Sequence, residues 1–189
     1  MSNHNETLHI LGIAPYDSMR DVMLRTAEGF PGLQLDVYIG DLEQGVNIVK
    51  NVATQGYDAI ISRGGTATMI RQVTDLPVIE IQLSVYDVLR TIKLAENYSS
   101  LYAIVGFPTI TESAHTLCDL LRYDVDILTI HSTQDAQSTL ERLRQGGYRM
   151  VISDVVTHTV AQQMGFDAFL ITPGPESLYT ALTQAESQA

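Results

Sequence analysis

One stretch of this chain occurs twice, and the repetition limits what the chain can fold into. Gly56-Tyr57-Asp58-Ala59-Ile60-Ile61-Ser62 aligns without a gap on Gly147-Tyr148-Arg149-Met150-Val151-Ile152-Ser153. In the same register Thr66 falls on Thr157, Thr68 on Thr159, and Val78-Ile79 on Phe169-Leu170. With a small shift, Gly12-Ile13-Ala14-Pro15 resembles Val105-Gly106-Phe107-Pro108. A register held over two strands and a helix points to a duplicated unit. The alternative is two unrelated α/β halves that converged on similar strand ends.

Strand-like and helix-like segments alternate along the chain. A compact apolar run over 8–14, ended by Pro15, reads as a first strand. Asp17 or Ser18 is placed to cap a helix carrying Met19, Val22, Met23 and Ala27 at helical spacing, stopped by Gly29, Pro31 and Gly32. Residues 33–39 alternate apolar and polar, as a strand nearer an edge does. A helix over 41–54, a strand over 58–62, a helix over 66–74 and a strand over 78–81 follow. Ser84 then caps a helix running to about 97. The second half repeats the order, with strands over 101–106, 125–130, 149–153 and 168–171. Its helices cover 111–121, 133–145, 157–164 and 175 to about 185. Such alternation predicts parallel sheets built from right-handed βαβ units. The expected fold is therefore α/β: two Rossmann-like lobes, as in periplasmic-binding-protein-like folds, with a cleft between them. Residues 1–83 would form the first lobe, 84–98 a connecting helix and hinge, and 99–189 the second lobe. The C-terminal helix would be free to pack back on the first lobe.

With 45% apolar and 17% charged residues, the chain has material for a sizeable core. Disorder is expected only in the first and last few residues. A formal charge of -11 argues against nucleic-acid contact by this chain itself. No run approaches about 18 apolar residues, and Met1-Ser2-Asn3-His4-Asn5-Glu6 is no signal peptide. A cytoplasmic protein without membrane contact is expected. The single cysteine, Cys118, excludes an internal disulfide and a multi-cysteine metal site.

The candidate site centres on Asp58-Ala59-Ile60-Ile61-Ser62-Arg63-Gly64-Gly65-Thr66-Ala67. An apolar strand ends in Ser62-Arg63, Gly64 and Gly65 turn the chain, and a helix is expected from Thr66. Backbone N–H groups and the helix dipole favour an anion there, and Arg63 offers a planar, bidentate partner for carboxylate or phosphate. Glycine pairs before helices also serve ordinary turns. In the duplicate, Asp154 takes the place of Arg63. Arg63 would then hold an acidic group while Asp154 accepts from a hydroxyl or ammonium; the alternative is an ion pair between them or two exposed charges worth little. Ser62, Ser153, Thr66 and Thr157 would supply hydroxyls and caps. Thr172-Pro173-Gly174-Pro175-Glu176-Ser177 is a further strand-to-helix turn, bringing Gly174 and Ser177 to the same face. Tyr16, after the first strand, either walls the cleft or simply packs.

Catalytic constellations are mostly excluded. Neither G-x-G-x-x-G after the first strand nor G-x-x-x-x-G-K-[ST] is present. The histidines are dispersed without ligand spacing, so no metal and no cofactor are expected. His158, beside Asp154 and Thr157, reads as a solvated first-turn residue or as an acid/base group. Cys118 lies among Leu117, Leu120 and Leu121, as a core thiol does. A two-lobed racemase would need a nucleophile from each lobe, which one helical cysteine does not supply. A receiver domain would need an acidic pair after the first strand, where Ala14-Pro15-Tyr16 stands.

Ile61-Ser62-Arg63-Gly64-Gly65-Thr66-Ala67, Leu76-Pro77-Val78-Ile79-Glu80-Ile81 and Ser84-Val85-Tyr86-Asp87-Val88-Leu89 resemble the N-terminal sensory domain of PrpR-type propionate catabolism activators. Ser153-Asp154 with Thr157, and Gly174-Pro175-Glu176-Ser177, are similar to that family as well. The resemblance covers nearly the whole chain. It implies a two-lobed receptor for a small metabolite, 2-methylcitrate in the name-giving case. It also implies a sigma-54-dependent regulator in a phosphorelay-type signalling class, whose ATP binding and DNA binding belong to downstream AAA+ ATPase and helix-turn-helix domains. This chain carries neither, so an isolated sensor is expected, with an organic acid as ligand and a homodimer as a conceivable assembly. Lobe closure on the ligand would carry the signal, with no catalytic residue. The competing reading is a small-acid isomerase or lyase using Asp154 or His158 as base.

Overall fold

The computed structural model describes residues 6–98 and 101–188. Its elements alternate as β1 (Leu8–Ala14), α1 (Asp17–Ala27), β2 (Leu33–Ile39), α2 (Glu43–Val52), β3 (Ala59–Ser62), α3 (Gly64–Arg71), β4 (Val78–Glu80), α4 (Val85–Glu96), β5 (Ala103–Gly106), α5 (Pro108–Leu121), β6 (Asp126–Thr129), α6 (Thr133–Gln145), β7 (Met150–Ser153), α7 (Val155–Gln163), β8 (Asp167–Leu170) and α8 (Pro175–Gln188), with a 3₁₀ turn at Ala53–Gln55 before β3. The strands form two four-stranded parallel sheets, ordered β2-β1-β3-β4 and β6-β5-β7-β8. This is the α/β, periplasmic-binding-protein-like class that the alternation predicts. The inner strands β3, β5 and β7 are buried throughout, because helices cover both sheet faces and leave no polar side for the pleat to present.

The chain divides into two compact units. One joins the residues through Gln82 to those from Pro173 onward; the other is Leu83–Thr172. In the first, α1 and α8 close one face of the sheet through Met19, Met23, Leu178 and Leu182 on Ile10 and Ile61. On the other face α2 and α3 set Val49 and Ile70 against Leu11, Ile13 and Ile60. In the second unit, α4 and α5 contribute Val88, Ile92, Ala114 and Cys118 over Ile104 and Ile152. Leu140 and Val160 of α6 and α7 pack on Val105 and Val151. The helix after β4 therefore serves the second unit, and the helix after β8 serves the first.

α4, within the expected connecting segment 84–98, buries Val88, Ile92 and Ala95 completely in the second unit's core. Full burial of a valine or isoleucine stabilises by about 1.5–3 kcal/mol, so a helix with this stripe packs. Its start is fixed by a capping box: the Asp87 N–H donates to Ser84 Oγ at 3.4 Å and the Ser84 N–H to Asp87 Oδ2 at 2.8 Å. At α1 the N-cap is Tyr16, without a side-chain cap bond, rather than Asp17 or Ser18. The expected start of the second lobe at 99, and the disorder expected at 1–5 and 189, lie outside the described residues.

The duplication extends to hydrogen bonds. Tyr57 donates to Asp36 Oδ2 on β2 at 2.8 Å, and Tyr148 donates to Asp126 on β6. Burial, with the Asp36 bond second, pushes the Tyr57 phenol well above its ordinary value; at Tyr148 the Asp126 bond is the larger cause. Each tyrosine follows a left-handed glycine, Gly56 at φ 86° and Gly147 at φ 90°. The Gly40 N–H donates to Ala14 O and the Ile130 N–H to Gly106 O, both at 2.9 Å, so Ala14 and Gly106 are equivalent. Pro15 therefore matches Phe107, not Pro108. Ser62 lies opposite Glu80 and Ser153 opposite Leu170, so Val78-Ile79 matches Ala168-Phe169 rather than Phe169-Leu170. The slip arises because Gly165, at φ 85°, turns the chain into β8 by a shorter route than the one between α3 and β4.

Candidate functional site

In each sheet the strand order reverses direction between the two inner strands, β1 and β3 or β5 and β7. The crevice outside the carboxyl ends of such strands is where open α/β sheets receive ligands. In the first unit these ends carry Ala14-Pro15-Tyr16 and Ser62-Arg63-Gly64-Gly65; in the second, Gly106-Phe107-Pro108 and Ser153-Asp154.

In the first unit α3 begins at Gly64, earlier than Thr66, with Arg63 as an N-cap that makes no side-chain cap bond. The first amides of α3 thus have no capping carboxylate or hydroxyl. Gly64 has φ 52°, and a Cβ there would meet nothing within 4 Å. The Arg63 side chain is half-buried, and its Nη1 is buried without a hydrogen-bond partner. The two hydroxyls nearby are already engaged within their own unit. Ser62 Oγ donates to Ile13 O at 3.2 Å, while Thr66 Oγ1 donates to Asp41 Oδ1 at 2.9 Å and accepts from the Leu42 N–H at 2.8 Å. Thr66 therefore ties the loop after β2 to α3.

The second unit inverts this pattern. Asp154 caps α7, accepting from the Thr157 N–H at 2.9 Å through Oδ1 and from the Phe107 N–H at 2.9 Å through Oδ2. Both oxygens hold backbone, so Asp154 fastens the β5 loop to the head of α7. Position 63 itself has no such use for a carboxylate, since Pro15, which corresponds to Phe107, lacks an N–H. The fastening also explains Gly106: a Cβ would lie 3.0 Å from Asp154 Oδ2 and 3.1 Å from Ile110 Cβ. Here the hydroxyls are unengaged. Ser153 and Thr157 are fully buried, and Ser153 Oγ and Thr157 Oγ1 have no hydrogen-bond partner. The position of Asp41 is taken by His131, whose N–H donates to Asp135 Oδ2 at 3.0 Å. His158, in the same first turn, is half-buried rather than solvated, its Nδ1 also unpartnered. Burial lowers its pKa below 6.5 and favours the neutral ring.

The structure brings Tyr16, Ser62, Arg63, Gly64, Gly65 and Thr66 to one strand-end region of the first unit. Gly174 and Ser177, at the head of α8, are buried in that unit, and Ser153, Asp154 and Thr157 gather in the second. Sequence reasoning missed Asp41 and Phe107 as partners and the burial of His158. Asp41 follows a strand as an isolated acid before a helix, a readable hint; a backbone donor such as Phe107 leaves no trace in sequence. Among the described residues no group of three His, Cys, Asp or Glu side chains is placed to hold a metal ion. Cys118 is a buried core thiol, pushed up in pKa chiefly by that burial. A depression along α6, lined by residues such as Gln134, Gln137 and Glu141, contains none of the unpartnered atoms. No helix among the described residues is long and apolar enough to cross a membrane.

The family model described as propionate catabolism activator matches residues 31–189. Among solved structures, an NtrC family transcriptional regulator from Clostridium acetobutylicum is similar with a TM-score of 0.76 at 20% identity, covering 96% of each chain. The transcription regulator CcpA of Lactococcus lactis is similar with a TM-score of 0.53 at 11% identity, over 96% of this chain and 90% of that one. At these identities the likeness to the solved structures is one of fold.

Proposed function

Because the chain belongs to the propionate catabolism activator family and is a sensory domain of a transcriptional regulator, we propose that it detects a small carboxylate metabolite bound in a cleft between its two units. Closure of the units on that ligand carries the signal to the AAA+ ATPase and helix-turn-helix domains of a cytoplasmic sigma-54-dependent regulator. The observation that carries this reading is the buried, unpartnered Nη1 of Arg63 beside the uncapped head of α3. A buried cationic donor without an acceptor is unfavourable, and a carboxylate satisfies it and the α3 amides together. The ligand set is Tyr16, Ser62, Arg63, Gly64, Gly65, Thr66, Gly174 and Ser177 from one unit and Ser153, Asp154 and Thr157 from the other. Of these, Ser62, Thr66 and Asp154 shape the walls through their backbone bonds. Only a ligand with higher affinity for the closed state shifts the population toward it. The engagement of both Asp154 oxygens by amides speaks against its use as a general base.

The test is a thermal-shift screen over mono-, di- and tricarboxylates, followed by small-angle scattering with the best of them. A raised Tm with a reduced radius of gyration is expected. A raised Tm at constant radius would remove closure from the account, and NMR-detected turnover of any acid would replace sensing with catalysis.

A further inference from the structure

One position in the first unit departs from the duplicated frame by straining its own backbone. Leu42, at the turn from β2 into α2, has φ 46°, the left-handed region that a bulky apolar residue rarely enters. Its counterpart is Ser132, which follows His131 as Leu42 follows Asp41. Ser132 is an extended N-cap at φ -157°, and its Oγ accepts from the Asp135 N–H at 3.1 Å. The frame thus permits a relaxed, capped helix start, and Leu42 forgoes both the relaxed backbone and the cap. Resting on the reading of Arg63 and the head of α3 as an acid site, we propose that Leu42 is a specificity-determining residue of that site. It is the apolar contact for the hydrocarbon directly behind the bound carboxylate. All of these residues belong to the first unit.

Leu42 is held against α3 from several directions. Its N–H donates to Thr66 Oγ1 at 2.8 Å and to Asp41 Oδ1 at 3.1 Å, and its carbonyl accepts from the Val46 N–H at 3.1 Å. A Cβ at Gly65, the second residue of α3, would lie 3.2 Å from Leu42 Cδ2, so the leucine side chain rests on the first turn of that helix. Gly45 allows the close approach, since a Cβ there would lie 2.7 Å from Thr66 Cγ2. These bonds fix the backbone of Leu42 and not its side chain, which leaves the residue 47% exposed. Burial in the fold therefore does not account for a leucine here, and glycine or asparagine would hold the same turn with less strain. What leucine adds is apolar surface on the first turn of α3, next to the Arg63 N-cap, where the carbon atoms of an acid can cover it. The two departures from the frame coincide. The head of α7 is filled by the Asp154 carboxylate, and an ordinary serine cap stands at position 132. The head of α3 has no side-chain cap, and it is the one that a strained leucine covers.

NMR titration of the ¹⁵N-labelled protein with acetate, propionate, butyrate and valerate, read at the Gly64 and Gly65 amides, tests the assignment in the wild type, Leu42→Ala and Leu42→Asn. In the wild type each added methylene should tighten binding about two- to fourfold. Leu42→Ala should flatten that series, weakening valerate about tenfold and acetate far less. Leu42→Asn, which suits the left-handed backbone, should flatten it too without lowering the apo Tm, and relief of strain should raise that Tm by up to about 4 °C. A flat series in the wild type, or a steep one that survives in both variants, would overturn the assignment yet leave acid sensing intact. Equal weakening of acetate and valerate, or an apo Tm lowered in Leu42→Asn, would overturn it too, by making Leu42 a structural residue. If no acid shifts the α3 amides, the acid site itself falls and takes the inference with it.

Discussion

Exchanging the duplicated pair Arg63 and Asp154 for alanine, one at a time, should give unequal results. Asp154→Ala removes the cap of α7, worth about 1 kcal/mol, and strands the part-buried Phe107 N–H, worth about 1–3 kcal/mol. The sum is about 2–4 kcal/mol. For a chain of this size each kcal/mol moves Tm by roughly 2–4 °C, so a fall of about 4–16 °C is expected in the transition of the second unit. Arg63→Ala removes a guanidinium whose Nη1 has no partner and an N-cap that makes no side-chain bond. It should change stability by less than about 0.5 kcal/mol, as substitutions away from engaged groups do. Far-UV circular dichroism melts and urea titrations of the three proteins, without ligand, decide the matter. Asp154→Asn, which keeps one carbonyl acceptor, should fall between. A loss at Arg63→Ala as large as that at Asp154→Ala would mean that the guanidinium is a structural group. The division of labour between the two halves would then be wrong.

Other positions test the same frame. Thr66→Val should cost about 0.5–1.5 kcal/mol through the lost hydroxyl bonds to Asp41 and Leu42, because the Leu42 N–H still donates to Asp41 Oδ1 at 3.1 Å, whereas Thr157→Val at the duplicated position should be neutral or stabilising in chemical denaturation. Gly106→Ala should cost about 1–3 kcal/mol by overpacking against Ile110 and Asp154, measured in the same way. For His158, burial lowers the folded pKa beneath 6.5, so the unfolded chain takes up the proton at higher pH. The stability contributed by the neutral ring is present above 6.5 and is lost as pH falls from there toward the folded value. His158→Gln should therefore flatten the stability profile below about pH 6.5, and an unchanged slope would refute the burial argument.

Much of the fold is legible because apolar runs ended by glycine or proline mark strands, and because Ser84 is a side-chain helix cap. A helix start at Thr66 is what the low helix propensity of Gly64 and Gly65 leads one to expect, yet the strand end and left-handed Gly64 place both glycines in the first turn of α3. The placement of α4 was not legible for a different reason. Spacing of Val88, Ile92 and Ala95 states that a stripe is buried, not which sheet buries it. The one-residue slip at β8 went unseen because short apolar strands align acceptably in either register. At the site, residue type told that Arg63 and Asp154 mattered but not how they differ. The difference lies in Phe107, whose N–H reaches Asp154 across 47 positions of sequence, and in Asp41, which occupies Thr66.

The account rests on Arg63 receiving the acidic group of a ligand. The direct measurement is the ligand-induced Tm shift of wild type and Arg63→Ala, side by side, with the acid that stabilises the wild type most. The account predicts a clear shift in the wild type and none in Arg63→Ala, with equal Tm values in the absence of acid. An undiminished shift in the variant would contradict it.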